Sequence, residues 1–176
     1  MGKPKQLLAA GSSTLLRRIV DQAIASDVER TFVVLGAEAD AVRTQLEALP
    51  ITVVENARWA DGIGSSIFAG VEAAKDADAV VIVTCDQPHV STATINRLIS
   101  EHDSSAKGIV ASAYSNTLGV PALFAREFFE ELRRLRPDEG AKRLLLKCGE
   151  SVAAVEFAEG VVDLDTPADY ERFLAP

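Results

Sequence analysis

A chain of 176 residues with 48% hydrophobic content has enough apolar material for one packed domain and too little for two of ordinary size. Its formal charge of -8 and isoelectric point near 4.8 exclude a broad polyanion-binding face, because nucleic-acid binders displace condensed counterions with a basic surface. No apolar run approaches the ~18 residues of a bilayer span, and the two cysteines, Cys85 and Cys148, lack a C-x-x-C neighbour, so a reducing cytoplasm fits and a membrane or redox role does not.

The chain opens with a basic, proline-containing stretch over residues 1–5 where an α/β domain ordinarily opens with an apolar strand. Residues 8–13 read as a turn and N-cap leading into a helical period over 15–25. A strand is predicted over 31–35, then a helix over 40–48 whose leading Glu38 and Asp40 satisfy its dipole internally, and a second strand over 51–54. Trp59 to Ser66 form a glycine-bearing turn that feeds a helix over 66–75. The most apolar strand spans 79–84, followed by a helix over 92–102, a strand over 109–113, a helical stretch over 126–147 broken at Pro137, and a strand over 152–157. Short Val/Ile-rich runs alternating with helical periods predict βαβ units, hence one three-layer αβα domain over residues 1–176 around a mostly parallel, Rossmann-like sheet.

Ligands of open α/β sheets lie beyond the carboxyl ends of the strands, so chemistry is sought just after each apolar run. The run ending in Cys85-Asp86-Gln87-Pro88 delivers a carboxylate to that edge, where a hard oxygen donor suits Mg²⁺ held together with substrate phosphates; a turn cap is the bland alternative. Asp163 and Asp165 alternate at the close of a further strand, with Asp165 and Thr166 as N-cap candidates for the helix after Pro167. Either acid taken singly fits capping as well as metal binding; pairing with Asp86 favours the metal. Free backbone N–H groups around Gly62 and Gly64, in a first turn without acids, suit a base or a phosphate.

Other chemistries lack their residues. Gly62-x-Gly64 has no third glycine at Ile67 and no strong strand directly before it, which excludes a dinucleotide fingerprint. There is no G-x-S-x-G elbow, and the only histidines are His89, near the crevice, and His102, facing solvent, so a hydrolytic triad is not supported. A phosphoacceptor receiver domain wants an acidic pair after its first strand, which cannot be placed. Attack by an anionic phosphate oxygen requires no base, only alignment and charge neutralisation.

Six segments, the opening Met1 to Leu8, Asn56 to Ser66, Cys85 to Pro88, Gly119 to Phe124, Asp138 to Ala141 and Asp163 to Pro167, occur in the order seen in molybdenum cofactor cytidylyltransferases, and the chain resembles that group of nucleotidyltransferases from end to end. The resemblance implies transfer of CMP from CTP to molybdopterin with release of pyrophosphate. It implies Lys5, Asp86 and Asp165 as catalytic residues, with Mg²⁺ on Asp86 and Asp165. Lys5, Gly64, Ser65, Ser66 and Asp86 would face the nucleotide, and Gly119, Val120 and Pro121 the pterin. A molybdoenzyme or its chaperone would receive the product. A guanylyltransferase of the same cofactor, a cytidylyltransferase of another small phosphate acceptor, and a non-catalytic nucleotide-binding homologue share the fold. In the family a strand ending in Leu-Ala-Ala-Gly, then serine and arginine, precedes Met-Gly-x-Pro-Lys. The expectation is therefore a domain lacking its first central strand and triphosphate loop, either because the native chain is longer or because the homologue is shortened and inactive; retention of Lys5, Asp86 and Asp165 favours the former.

Overall fold

The computed structural model describes residues 4–175. Residues 1–3 of the Pro-Lys signature lie outside the described residues. The described chain begins with a short 3-10 turn over Lys5–Leu7, and then β1 (Ala9–Ala10) pairs antiparallel with β2 (Ser13–Thr14) around Gly11 at φ +69. The Thr14 hydroxyl accepts the Arg17 amide at 3.2 Å and starts α1 (Leu15–Ile24), whose Leu15, Leu16, Ile19 and Val20 recur at helical spacing as one buried stripe. β3 (Phe32–Leu35) and β4 (Thr52–Glu55) pair in parallel, Val33 opposite Val53, joined through α2 (Ala39–Arg43). α3 (Ile63–Ala73) follows.

The larger sheet has the order β5 (Ala79–Ile82), β7 (Thr117–Ala125), β6 (Ile109–Tyr114), β8 (Ala153–Glu156). β6 and β8 run parallel, while β7 is antiparallel to both its neighbours. Alternation along these strands builds two cores. Ile109, Ala111, Ala122 and Phe124 face α3, α5 (Phe129–Arg133) and α6 (Ala141–Cys148), whereas Val110 and Leu123 face Leu98 of α4 (Thr92–Ser105). Helices on both faces give the three-layer αβα arrangement. α7 (Pro167–Leu174) closes the described chain behind a Thr166–Asp169 capping box. No described helix is long and apolar enough to cross a membrane.

Three features differ from the sequence reading. β7 is a full strand where only a substrate-side segment is expected: Pro121 breaks the strand signal, and the two-residue turn Ser115–Asn116, both at positive φ, carries no glycine. Asp163 does not end a strand; a 3-10 turn over Ala158–Val161 leads into irregular backbone instead. Among the described residues the β3–β4 pair is not hydrogen-bonded to the larger sheet, and β5 has only β7 beside it, so none of its four apolar residues is fully buried. The two sheets are nonetheless joined through one apolar cluster that holds Val33 and Leu35 of β3, Val81 of β5 and Leu16, Ile19 and Val20 of α1.

Phe124 is fully buried in the core beneath α5 and α6. Phe124→Ala is expected to cost about 3–5 kcal/mol through lost transfer energy and a residual cavity, read as a lowered urea midpoint at unchanged slope; a loss below about 1 kcal/mol contradicts this assignment of the core.

Candidate functional site

β5 carries the chain through Thr84 and Cys85 to Asp86, just past the carboxyl end of the strand. The Asp86 carbonyl accepts the backbone amide of Leu164 at 2.9 Å. Leu164 is completely buried and packs with Ala10, Leu15, Val162, Tyr170 and Phe173. Because that side chain is turned inward, its neighbours Asp163 and Asp165 stay at the surface on either side of the bond to Asp86. Two acids remote in sequence from Asp86 are thereby held beside it by one backbone hydrogen bond and one apolar anchor.

Lys5, on the opening 3-10 turn, forms an ion pair with Asp165 across the same site. Partial desolvation disfavours the Lys5 ammonium, but its hydrogen bond to Asp165 and the charges of Asp165 and Asp86 outweigh this and hold its pKa above the usual lysine value. The Asp163 carboxyl is raised above the ordinary carboxylate range by partial desolvation and by the negative charges of Asp86 and Asp165, with Lys5 and the Gln87 amide opposing. Burial and the nearby Asp86 charge push the Cys85 thiol up to about 11, which keeps it protonated and inert. The acids thus carry an excess of negative charge that one lysine only partly offsets.

The segment Gly119 to Pro121 lies on β7, the strand paired with β5. Gly119 and Pro121 are buried and Val120 is half-buried on β7, where the Ser112 hydroxyl donates to the Pro121 carbonyl at 2.7 Å and the Tyr114 hydroxyl to the Val120 carbonyl at 3.3 Å. Sequence reasoning gave no role to Tyr114 or to the buried Gln87, although Gln87 lies within the Cys85 to Pro88 segment directly after the strand-end aspartate.

The Gly64 turn is built from within. The Asn56 side-chain amide donates to the hydroxyls of Ser65 and Ser66 at 2.8 and 3.0 Å, and the Ser65 hydroxyl in turn donates to the Gly62 carbonyl at 2.7 Å. The Gly64 amide donates to the Pro137 carbonyl at 2.9 Å, and a Cβ at Gly64 would collide with the Arg136 carbonyl. Gly64 and Ser65 are buried and Ser66 half-buried, and no hydrogen bond or ion pair among the described residues links them to Lys5, Asp86 or Asp165. His89 is exposed with its ring edge-on to Phe173 at 6.0 Å, and a His102 ring nitrogen bonds the Lys107 carbonyl at 2.8 Å, so neither histidine joins the acids.

With this geometry in place, residues 1–152 match the MobA-like NTP transferase domain. The chain belongs to that family. It is 32% identical over 123 residues to the nicotine blue oxidoreductase of Paenarthrobacter nicotinovorans, a match that covers 70% of this chain and 59% of that protein. The crystal structure of Rv0371c from Mycobacterium tuberculosis superposes with a TM-score of 0.82 at 30% identity, covering 99% of this chain and 90% of that one. A manganese complex of Rv0371c superposes at 0.79 with 31% identity, covering 98% and 92%. Molybdopterin-guanine dinucleotide biosynthesis protein A from Archaeoglobus fulgidus, at 16% identity and a TM-score of 0.69 over 98% of this chain and 89% of that one, shares the fold. The chain thus carries an NTP transferase domain, and it spans little more than half the length of the curated relatives it matches, 59% and 55%.

The donor set of this MobA-like site suits a hard divalent cation. Asp86 and Asp165 offer carboxylate oxygens at a strand end, and among the described residues no group of three His, Cys, Asp or Glu side chains forms a ready-made cage. Two carboxylates that leave positions for water and phosphate oxygens match the sparse protein coordination of Mg²⁺ better than the full oxygen shell of Ca²⁺ or the thiolate and imidazole ligands of zinc.

A carboxyl whose folded pKa is raised binds its proton more tightly folded than unfolded, so its charge opposes folding above the raised value, and the penalty disappears below the unfolded value near ~3.9. Asp163→Asn is therefore expected to raise the thermal midpoint at pH 7 in metal-free buffer and to leave it unchanged near pH 3. Equal midpoints at pH 7 contradict the crowding of these acids.

Proposed function

We propose that the chain transfers CMP from CTP to the terminal phosphate of molybdopterin, with Mg²⁺ and with release of pyrophosphate. The observation that carries this reading is the convergence of Lys5, Asp86 and Asp165 at the carboxyl edge of β5, with neither histidine joined to them. Asp86 and Asp165 would hold Mg²⁺, which would supply charge neutralisation to the phosphoryl oxygens. The residues of the chain then have separable roles. The backbone of Asp86 is anchored by its carbonyl's bond to the Leu164 amide, which sets the point from which its carboxylate reaches the edge of the sheet. Lys5 leaves its ion pair with Asp165 to meet phosphate charge, a surface exchange of one anion for another in which little is lost.

The acceptor needs no deprotonating base, because a phosphate oxygen is already anionic; it attacks the α-phosphorus of CTP and pyrophosphate departs with the electron pair of the broken P–O bond. Val120 and the backbone of Gly119 and Pro121 border the acceptor side, and the turn of Gly64, Ser65 and Ser66 lies on the nucleotide side. The order of segments shared with the cytidylyltransferases supports the choice of CTP and molybdopterin, and the manganese complex of the 31% identical Rv0371c supports a divalent cation. Both cysteines are free, as suits a reducing cytoplasm in which a molybdoenzyme or its chaperone takes the product.

Asp86→Asn removes a metal-binding charge and keeps the shape and the backbone bond. It is expected to lower transfer at least about 10²-fold with a thermal midpoint within a few degrees of wild type; undiminished turnover removes Asp86 from the site. Calorimetry with Mg²⁺ and each nucleotide in turn is expected to show CTP binding more tightly than GTP. The reverse order assigns the chain to guanylyl transfer, and binding of neither contradicts the nucleotide reading.

A further inference from the structure

Gln87 follows Asp86 directly and is 3% exposed. Its Nε2 donates to the Gly160 carbonyl at 3.3 Å and, at the long limit of 3.5 Å, to the Tyr114 hydroxyl, while its Oε1 is buried without a partner among the described residues. A leucine fills a similar volume without burying an orphaned carbonyl, so packing alone does not account for an amide here. Tyr114 passes the contact onward by donating its hydroxyl to the Val120 carbonyl at 3.3 Å.

The phenol is held where it is from two sides. A Cβ on Gly119 would strike the Tyr114 hydroxyl, and one on Gly160 would strike its ring and that of Phe157. A continuous path of buried and half-buried contacts therefore runs from Asp86 through Gln87 and Tyr114 to Val120, joining the acid at the end of β5 to the wall on β7. Groups that touch no reacting atom but orient those that do set catalytic geometry to within fractions of an ångström.

We propose that Gln87 is a positioning residue which, through Tyr114, fixes the Gly119–Pro121 wall relative to Asp86; its consequence for the acceptor rests on the transfer reading given above. The ligand-free full chain tests the path without any turnover. In ¹H–¹⁵N spectra Gln87→Leu is expected to shift the amide resonances of Gly119 and Val120, and to shift them far less when Tyr114→Phe is already present. Unmoved resonances, or equal shifts in both backgrounds, overturn the proposal, and Gln87→Met serves the same purpose where the leucine variant does not fold. In transfer assays Gln87→Leu and Tyr114→Phe are each expected to raise the KM for molybdopterin about tenfold, with the double variant no worse and the KM for CTP within about twofold. Multiplying effects, or a lowered thermal midpoint with unchanged KM, overturn it. A wild-type chain that transfers nothing defeats the functional reading, and the spectra still decide the path.

Discussion

One backbone hydrogen bond, from the Leu164 amide to the Asp86 carbonyl at 2.9 Å, decides where the acids of this protein stand. Asp86 arrives at the sheet edge because β5 ends there, whereas Asp163 and Asp165 arrive on irregular backbone with no strand to place them. Leu164 supplies the missing constraint. Its fully buried side chain ties that backbone to Leu15 of α1 and to Tyr170 and Phe173 of α7, so the acids inherit the rigidity of a core they do not enter. The Tyr170 hydroxyl, donating to the Ala9 carbonyl at 2.9 Å, fastens the same helix to the opening hairpin next to Lys5.

The electrostatics follow from that placement. A chain of charge -8 repels polyanions, and the corner proposed here for phosphates gathers Asp86, Asp163 and Asp165. The conflict resolves if the acids recruit a divalent cation and the cation recruits the phosphates, with the Lys5 ammonium beside them.

Much of this was legible in the sequence, and the exceptions have physical reasons. The strand starting at Ala79 and the acid at Asp86 were plain, because an unbroken apolar run has one reading and a polar residue after it must lie at the edge. Thr166 was recognisable as a cap and does cap α7. β7 was hidden by Pro121 and by a Ser115–Asn116 turn that adopts positive φ without glycine. The Gly64 turn was visible as a glycine-bearing turn, but the close approach of the Arg136 carbonyl that demands its glycine, and the Asn56 amide that engages the Ser65 hydroxyl, were not. Such long-range contacts leave no local trace. The same holds for Gln87 and Tyr114, which are separated by 27 residues and meet only because the sheet sets β6 on the far side of β7 from β5.

The most direct test of the account is the anomalous scattering of Mn²⁺ in crystals of this chain grown with CTP. A single strong peak within about 2–2.5 Å of carboxylate oxygens of both Asp86 and Asp165 is the predicted result. Manganese bound elsewhere, or held by neither acid while CTP is bound, would contradict the assignment of this corner as the metal and phosphate site.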